Sequence, residues 1–412
     1  MPAVRLTAGW VLPVDSEPIE CGAVLVGPDG FIERVGPAAE VPAPAGVRQV
    51  DEPASALVPG LVNTHTHLEL TDFDGRVPDD DFVDWIARLR ALKEERSTEA
   101  YLEAAKRGVR DCWASGVTTV ADTGDRGVVA RALAELGASG VVYQEVFGPH
   151  PDQCEASLDQ LRRSVEAVRH HASARVRIGV SPHAPFTVSR ALYRAVSRWA
   201  RSEGLPIALH LAESTAEVDL VRAASGPFAD AWRRRGIPVP APGPTPVQLA
   251  DDEGALGPDT LCIHAVQVDG ADLERLRRAG AAIAHCPRAN RRHGHGTAPL
   301  GRFLAAGLRV GIGTDSVASV TPLDLFADAR EAQAIGGLEA ADALALCTLG
   351  GARALGLDRE IGTLTAGKRA DIAIVDLVGD PADPAAGALA AGPGGVRATF
   401  VGGREVYRRA TG

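Results

Sequence analysis

Lysine is nearly absent from this chain: Lys93, Lys106 and Lys368 stand against forty arginines in 412 residues. The skew matches a GC-rich coding bias better than a phosphate-binding surface, because acidic residues outnumber basic ones and the net charge is −10. A chain of that sign is a poor partner for nucleic acid or an anionic membrane. The six cysteines (21, 112, 154, 262, 286, 347) include no CxxC pair, which excludes a zinc ribbon or dithiol redox motif. A chain this long needs no disulfide staples, so buried thiols in a reducing cytosol are expected. No apolar run reaches the ~18 residues of a spanning helix. The N-terminus lacks the basic-then-apolar pattern of a secretory signal. The expectation is a soluble cytoplasmic protein. Internal repeats and low-complexity tracts are missing too, and no GxGxxG follows the first strand, which argues against a dinucleotide fold.

At roughly 100–200 residues per domain, this length implies one large domain with a smaller satellite. Hydrophobic residues at 45% and charged residues at 23% are ordinary for a globular fold and exclude disorder. Residues 1–55 read as short alternating strands, with Asp29-Gly30 marking a hairpin. Residues 360–412 read the same way, through GKRADIAIVD and TFVGGREVY. The two ends are expected to form one composite β-sandwich.

The stretch between them, 56–359, changes period. Short apolar or β-branched runs recur at 57–65, 116–122, 140–146, 176–183, 206–213, 260–266, 281–287 and 309–316. Each is followed by a helical pattern, apart from a Pro/Gly-rich segment at 236–257 expected to overhang the mouth. Eight such units predict a (β/α)8 barrel, whose buried parallel strands read as continuous apolar runs.

Barrel chemistry sits where the strands end, and those ends are rich in ligand-type residues. They carry His65 and His67, His183, His210 with Glu213, His264, His285 and Asp315. Positions 65 and 67 share one face of an extended chain, so two imidazoles can meet one metal. His210 and Asp315 can complete a three-nitrogen, one-oxygen set suited to catalytic Zn²⁺ and acceptable to Fe²⁺. Any one strand-end histidine could equally be a satisfied core residue; the whole constellation argues otherwise.

The motifs PGLVNTHTHLEL (59–70), SPHAPFTVS (181–189), HLAES (210–214), HCPRAN (285–290) and GTDS (313–316) together resemble the amidohydrolase superfamily. Within it they resemble the branch of cytosine, guanine and adenosine-type deaminases and triazine hydrolases, over the whole chain. The resemblance implies His65, His67, His210 and Asp315 as metal ligands, Glu213 as proton shuttle and His264 as partner of the nucleophilic water. Other branches bridge two metals through a carboxylated lysine at the fourth strand. Strand four here ends in VSPHAP and no lysine lies between 116 and 316, so one divalent ion per chain is expected. The alternative for Glu213 is a carboxylate capping the next helix.

His183 resembles the branch's purine-contacting histidine. Trp85 and Glu94 resemble its nucleoside-contacting pair, although Phe82, Trp85, Ile86 and Leu89 also fit a helix's core stripe. The WIxxL, QEVFG and HCPRAN segments look most like aminodeoxyfutalosine deaminases, then methylthioadenosine/S-adenosylhomocysteine deaminases. Two departures stand out. Ala289 replaces the usual serine of HCPRSN, and NRRHGHGTAPL, with a second HxH at His293 and His295, replaces an apolar, glycine-rich stretch. Arg288, Arg291 and Arg292 on that loop could bind a substrate carboxylate, or be solvated cations of an arginine-rich chain. The expected activity is ammonia release from an adenine-type nucleoside by a homodimer. The alternative is hydrolysis of a ring C–N or C–Cl bond in a guanine- or triazine-type substrate.

Overall fold

In the computed structural model, which describes residues 2–78, 81–239, 241–379 and 382–410, the chain builds two sheets. The first seven-stranded sheet takes β1 (Val4–Val11), β2 (Ile19–Val26), β3 (Ile32–Pro37) and β4 (Arg48–Pro59) from the N-terminal end. It takes β13 (Ile372–Asp376), β14 (Val396–Val401) and β15 (Arg404–Arg408) from the other. Its order is β15-β14-β13-β4-β1-β2-β3, with only the β1–β4 pair parallel among those joined. The expected sandwich is thus one hydrogen-bonded mixed sheet that curls over. Ile32 N–H donates to the Lys368 carbonyl and Ala370 N–H to that of Gly30, bringing the β2–β3 hairpin back onto the start of β13. Leu6, Val24, Ile32, Leu57, Ile374 and Phe400 pack inside the curl. The hairpin turns at Gly30, whose φ of 86° favours glycine.

The second sheet is the barrel. Its eight parallel strands are β5 (Leu61–Thr66), β6 (Val117–Gly124), β7 (Ser139–Val146), β8 (Val176–Pro182), β9 (Ile207–Leu211), β10 (Thr260–His264), β11 (Ala282–His285) and β12 (Arg309–Ile312). All eight runs expected from the sequence became strands. They read as unbroken apolar runs because both faces are covered: β5, β6 and β7 are buried at every position. Neighbouring residues divide between the two sides. Ala121, Val141 and Tyr143 join the inner cluster with Val62, Ile263 and Ala284, while Val120 and Val142 pack outward against the helices. The ring closes at its ligand-bearing end, where Thr314 and Asp315 N–H both donate to the His65 carbonyl (3.1 and 3.0 Å). β4 runs into β5 across Gly60, where a Cβ would strike Thr118, so one sheet passes directly into the other. Among the described residues no helix is long and apolar enough to cross a membrane. No cysteine is paired; Cys112, Cys262, Cys286 and Cys347 are buried, and Cys21 is exposed.

Candidate metal centre and cavity

His65 lies near the end of β5 and His67 just past its last residue, Thr66, two residues apart on one face. The ring centroids of His65 lie 4.7 Å from His67 and 4.9 Å from His210, and those of His67 and His210 lie 5.5 Å apart. Nε2 of His65 and Nε2 of His67 are each 3.5 Å from Asp315 Oδ1. Two overlapping ligand triplets share His65: one with His67 and Asp315, the other with His210 and His264. Both ring nitrogens of buried His65 have no hydrogen-bond partner among the described residues, a costly state that a metal ion would relieve at one of them. The donor chemistry fits a divalent ion.

Neighbouring groups set the tautomers. His210 Nδ1 faces the His183 carbonyl at 3.3 Å, so its proton lies there and Nε2 is the nitrogen able to ligate. His67 Nδ1 pairs with Thr123 Oγ1 at 3.3 Å, again turning Nε2 to the centre. Burial, reinforced by the neighbouring His65, depresses His67 to about 3, and burial takes His210 well below its ordinary value. Both are therefore neutral imidazoles, the ligand form. Burial would raise Asp315, but the contacts of His65 and His67 outweigh it and keep the group a carboxylate. Asp315 and His264 both adopt left-handed backbone, φ 60° and 71°, strained for non-glycine residues and concentrated at strand ends that aim side chains inward.

Glu213 follows β9 on a turn held by Glu217, whose carboxylate accepts the N–H of Ala212 (2.8 Å) and of Glu213 (2.9 Å). Ser214, not Glu213, caps the next helix, accepting from Glu217 N–H. That frees Glu213 for the cavity, and its Oε1 lies 3.5 Å from His264 Nε2 and 3.1 Å from His295 Nε2. Burial would raise its pKa, yet His264 and His295 together bring it down to about 2. His264 Nδ1 faces Asn290 Oδ1 at 2.9 Å; that oxygen only accepts, so the proton sits on Nδ1 and Nε2 points to Glu213.

A cavity of about 730 Å³ opens over this group, lined by His67, His183, His210, Glu213, His264 and Asp315 at its floor. Phe82, Trp85, Phe186, Phe228 and Trp232 form an aromatic wall. Burial lowers His183 to about 4; its Nδ1 pairs with Thr187 Oγ1 at 2.8 Å.

Residues 56–406 match the amidohydrolase family. The chain belongs to it. A 5-methylthioadenosine/S-adenosylhomocysteine deaminase of Symbiobacterium thermophilum is 31% identical, with 99% of this chain and 94% of that protein aligned. An aminodeoxyfutalosine deaminase of Deinococcus radiodurans is 32% identical over 74% of this chain and 75% of its own. In structure, an adenosine deaminase from Xanthomonas campestris with bound zinc superposes with a TM-score of 0.84 at 26% identity. It covers 98% of this chain, which covers 92% of it.

On this amidohydrolase barrel, most of the expected site residues gather at one mouth, Glu94 stands at its rim, and Arg288 is not part of it. Trp85 is both things its helix allowed: it packs near Phe82 and it lines the cavity, with a buried Nε1 that has no hydrogen-bond partner among the described residues. Glu94 reaches only the rim; its side chain is 66% exposed and pairs with Arg90 at 3.4 Å. Its neighbour Lys93 is the buried one, 2.9 Å from Asp125 and 3.4 Å from Glu69. Adjacent helix residues point about 100° apart, so a one-residue offset exchanges inside for outside. Arg288 does not line the cavity: Nη1 reaches the Pro322 carbonyl (3.2 Å) and buried Asp328 (3.5 Å). Arg291 is bidentate to Glu331 at 2.7 and 2.8 Å. The cations that do line the cavity are Arg90, Lys93, Arg126 and Arg235. Among the described residues, the 236–257 segment contributes none of the lining, which comes instead from the preceding helix Gly226–Arg234 and Arg235.

Several organising residues escaped the sequence reading. Asn63 ties β5 to β12 by donating to Thr314 Oγ1 (2.8 Å) and accepting from Thr314 N–H (3.1 Å). Asp122 accepts from Leu68 N–H (2.6 Å) and Thr66 Oγ1 (2.9 Å), fixing the turn after the histidine pair. The Ser214-x-x-Glu217 spacing has the form of a capping box, a signal that could have flagged Glu217. Asn290 ends the HCPRAN motif and His295 closes the second HxH, but nothing in the sequence places either against His264 or Glu213.

Proposed function

We propose that the chain is a mononuclear, metal-dependent hydrolase that deaminates an adenine-type nucleoside, with His65, His67, His210 and Asp315 holding one zinc ion. The convergence of these four, with His67, His210, Asp315 and Glu213 on the floor of a single aromatic-walled cavity and His65 buried beside them, carries the reading. Relatives named as deaminases of 5′-modified adenine nucleosides support the substrate class. A bound divalent ion would lower the pKa of a water toward ~7, making a nucleophile available at neutral pH.

The chain's own groups supply the proton traffic. Glu213 is a carboxylate in the free protein, so it cannot begin as an acid. It takes the proton released by the attacking water and delivers it to the ring nitrogen beside the carbon bearing the amine. Attack at that carbon forms the new C–O bond. The remaining O–H proton of the added water, carried by Asp315 or Glu213 to the amine, lets ammonia leave as the C–N bond breaks and that oxygen becomes the ring carbonyl of the product. His183 and Trp85 would orient the purine. The aromatic wall suits a 5′-deoxy or 5′-thioether substituent.

Ammonia release across a panel tests this: adenosine, 5′-deoxyadenosine, methylthioadenosine, S-adenosylhomocysteine, aminodeoxyfutalosine, guanine and a chlorotriazine. Turnover confined to the adenine nucleosides, with 5′-modified ones ahead of adenosine, is expected. Turnover of guanine or the triazine alone would replace this reading.

A further inference from the structure

The second HxH pair has no place in that reaction, yet His295 is buried, 4% exposed, against the carboxylate that moves the proton. Its Nε2 lies 3.1 Å from Glu213 Oε1, within ion-pair distance, and has no hydrogen-bond partner of full geometry among the described residues. The ring cannot easily turn away. Phe82 packs edge-on against it at 4.4 Å, its backbone N–H donates to the Asn290 carbonyl (2.9 Å), and Gln267 Nε2 donates to its carbonyl. Gly294 and Gly296 on either side both take positive φ, 67° and 98°. A side chain at either would strain the bends that bring His295 inward. Asn290 organises both imidazoles that face Glu213: its side chain fixes His264 and its carbonyl fixes His295.

We infer that His295 is a positioning residue for Glu213, anchoring Oε1 so that the other carboxylate oxygen exchanges the proton with the nucleophile and the purine ring. His295 touches no reacting atom; it acts by holding one rotamer of the shuttle. Because Phe82 belongs to the helix Phe82–Glu94 that walls the cavity, the same ring also links the shuttle to the substrate-facing helix. The inference rests on the reading of Glu213 as that shuttle.

His295→Leu keeps bulk against Phe82 and removes the donor. Its kcat on the best nucleoside of the panel should fall about tenfold, with KM within about twofold and metal content unchanged. His295→Gln, which restores an N–H, should recover most of that loss. In the Glu213→Gln background, His295→Leu should add nothing further, since a residue acting through Glu213 has nothing left to hold. Additive losses, a rise in KM at constant kcat, or a wild-type rate in His295→Leu would each overturn the positioning role while leaving the functional reading intact. A crystal structure of His295→Leu gives a readout that needs no turnover: Glu213 should leave its present rotamer. An unmoved carboxylate there overturns the inference even if no nucleoside of the panel proves to be a substrate, an outcome that by itself defeats only the functional reading.

Discussion

Two histidine pairs of identical spacing, His65-Thr66-His67 and His293-Gly294-His295, meet the same cavity and do different work. The first lies at the end of a strand, and both Nε2 atoms face one carboxylate, Asp315, at 3.5 Å. The second lies on a glycine-bent loop after the short helix Pro287–Arg292, and its two rings part company. His295 reaches Glu213, whereas His293 packs on Trp85 with centroids 4.6 Å apart. The rings of each pair are close, 4.7 and 5.4 Å, so proximity does not distinguish them. A shared opposing carboxylate does. Spacing brings donors together, but only the first pair has a carboxylate facing both rings, and that carboxylate completes the three-nitrogen, one-oxygen donor set.

The sharpest way to break this contrast is to remove one member from each pair. His65→Ala or Asp315→Ala should lose both the ion and all measurable turnover, because one of four ligands is gone. His293→Ala should keep a full complement of metal. Elemental analysis of wild type should find about one ion per chain. Two tightly bound ions, or metal loss in His293→Ala, would overturn the division of labour. Next in size is Glu213→Gln, which preserves shape but cannot shuttle. It should retain metal and KM while kcat drops ~10² or more. Near-wild-type turnover would remove Glu213 from the proton path.

The strands and the first pair were legible for the same reason. Buried parallel strands force continuous apolar runs, and their C-terminal ends are the only places where His, Glu and Asp repeatedly interrupt them. What could not be read was direction off the strands. Lys93 and Glu94 differ by one helical position, and the sequence pattern favoured Glu94, the one that reaches only the rim. Arg288 lies beside the mouth in sequence, but the buried acid that draws it away, Asp328, comes from a helix forty residues on. His295 enters the site because two glycines bend its loop, and a loop's path is not written in its hydrophobic pattern.

A smaller effect separates His293 from its partner in substrate binding. With Phe82, the His293 ring backs Trp85, whose indole N–H is buried at the cavity wall and has no partner among the described residues. Trp85→Leu should raise KM for the preferred nucleoside about tenfold, with kcat within threefold, as expected when one aromatic contact of ~1 kcal/mol and a donor are lost. His293→Leu should give a smaller rise of the same kind. If instead kcat falls and KM holds, the second pair acts as one unit on Glu213 and the contrast drawn above fails.

The smallest effect tests whether the loop's arginine serves scaffold or substrate. Burial pushes Asp328 up to about 8, while Arg288 opposes the rise through its guanidinium and its backbone N–H. A carboxyl raised in the fold is protonated there when it is ionised in the unfolded chain, so its ionisation costs stability as pH climbs from about 4 toward 8. Above about 8 the native group ionises too, and the cost stops growing. Arg288→Met removes the opposing cation and moves that native pKa higher, so the cost continues to grow. Wild type and variant should therefore differ little from this group near pH 6, and the gap in Tm should widen by about a degree or two by pH 9.5. The ratio of kcat/KM for aminodeoxyfutalosine over adenosine should stay within twofold in Arg288→Met. A tenfold fall in that ratio, with a pH-independent gap in Tm, would return Arg288 to the cavity as a carboxylate-binding group.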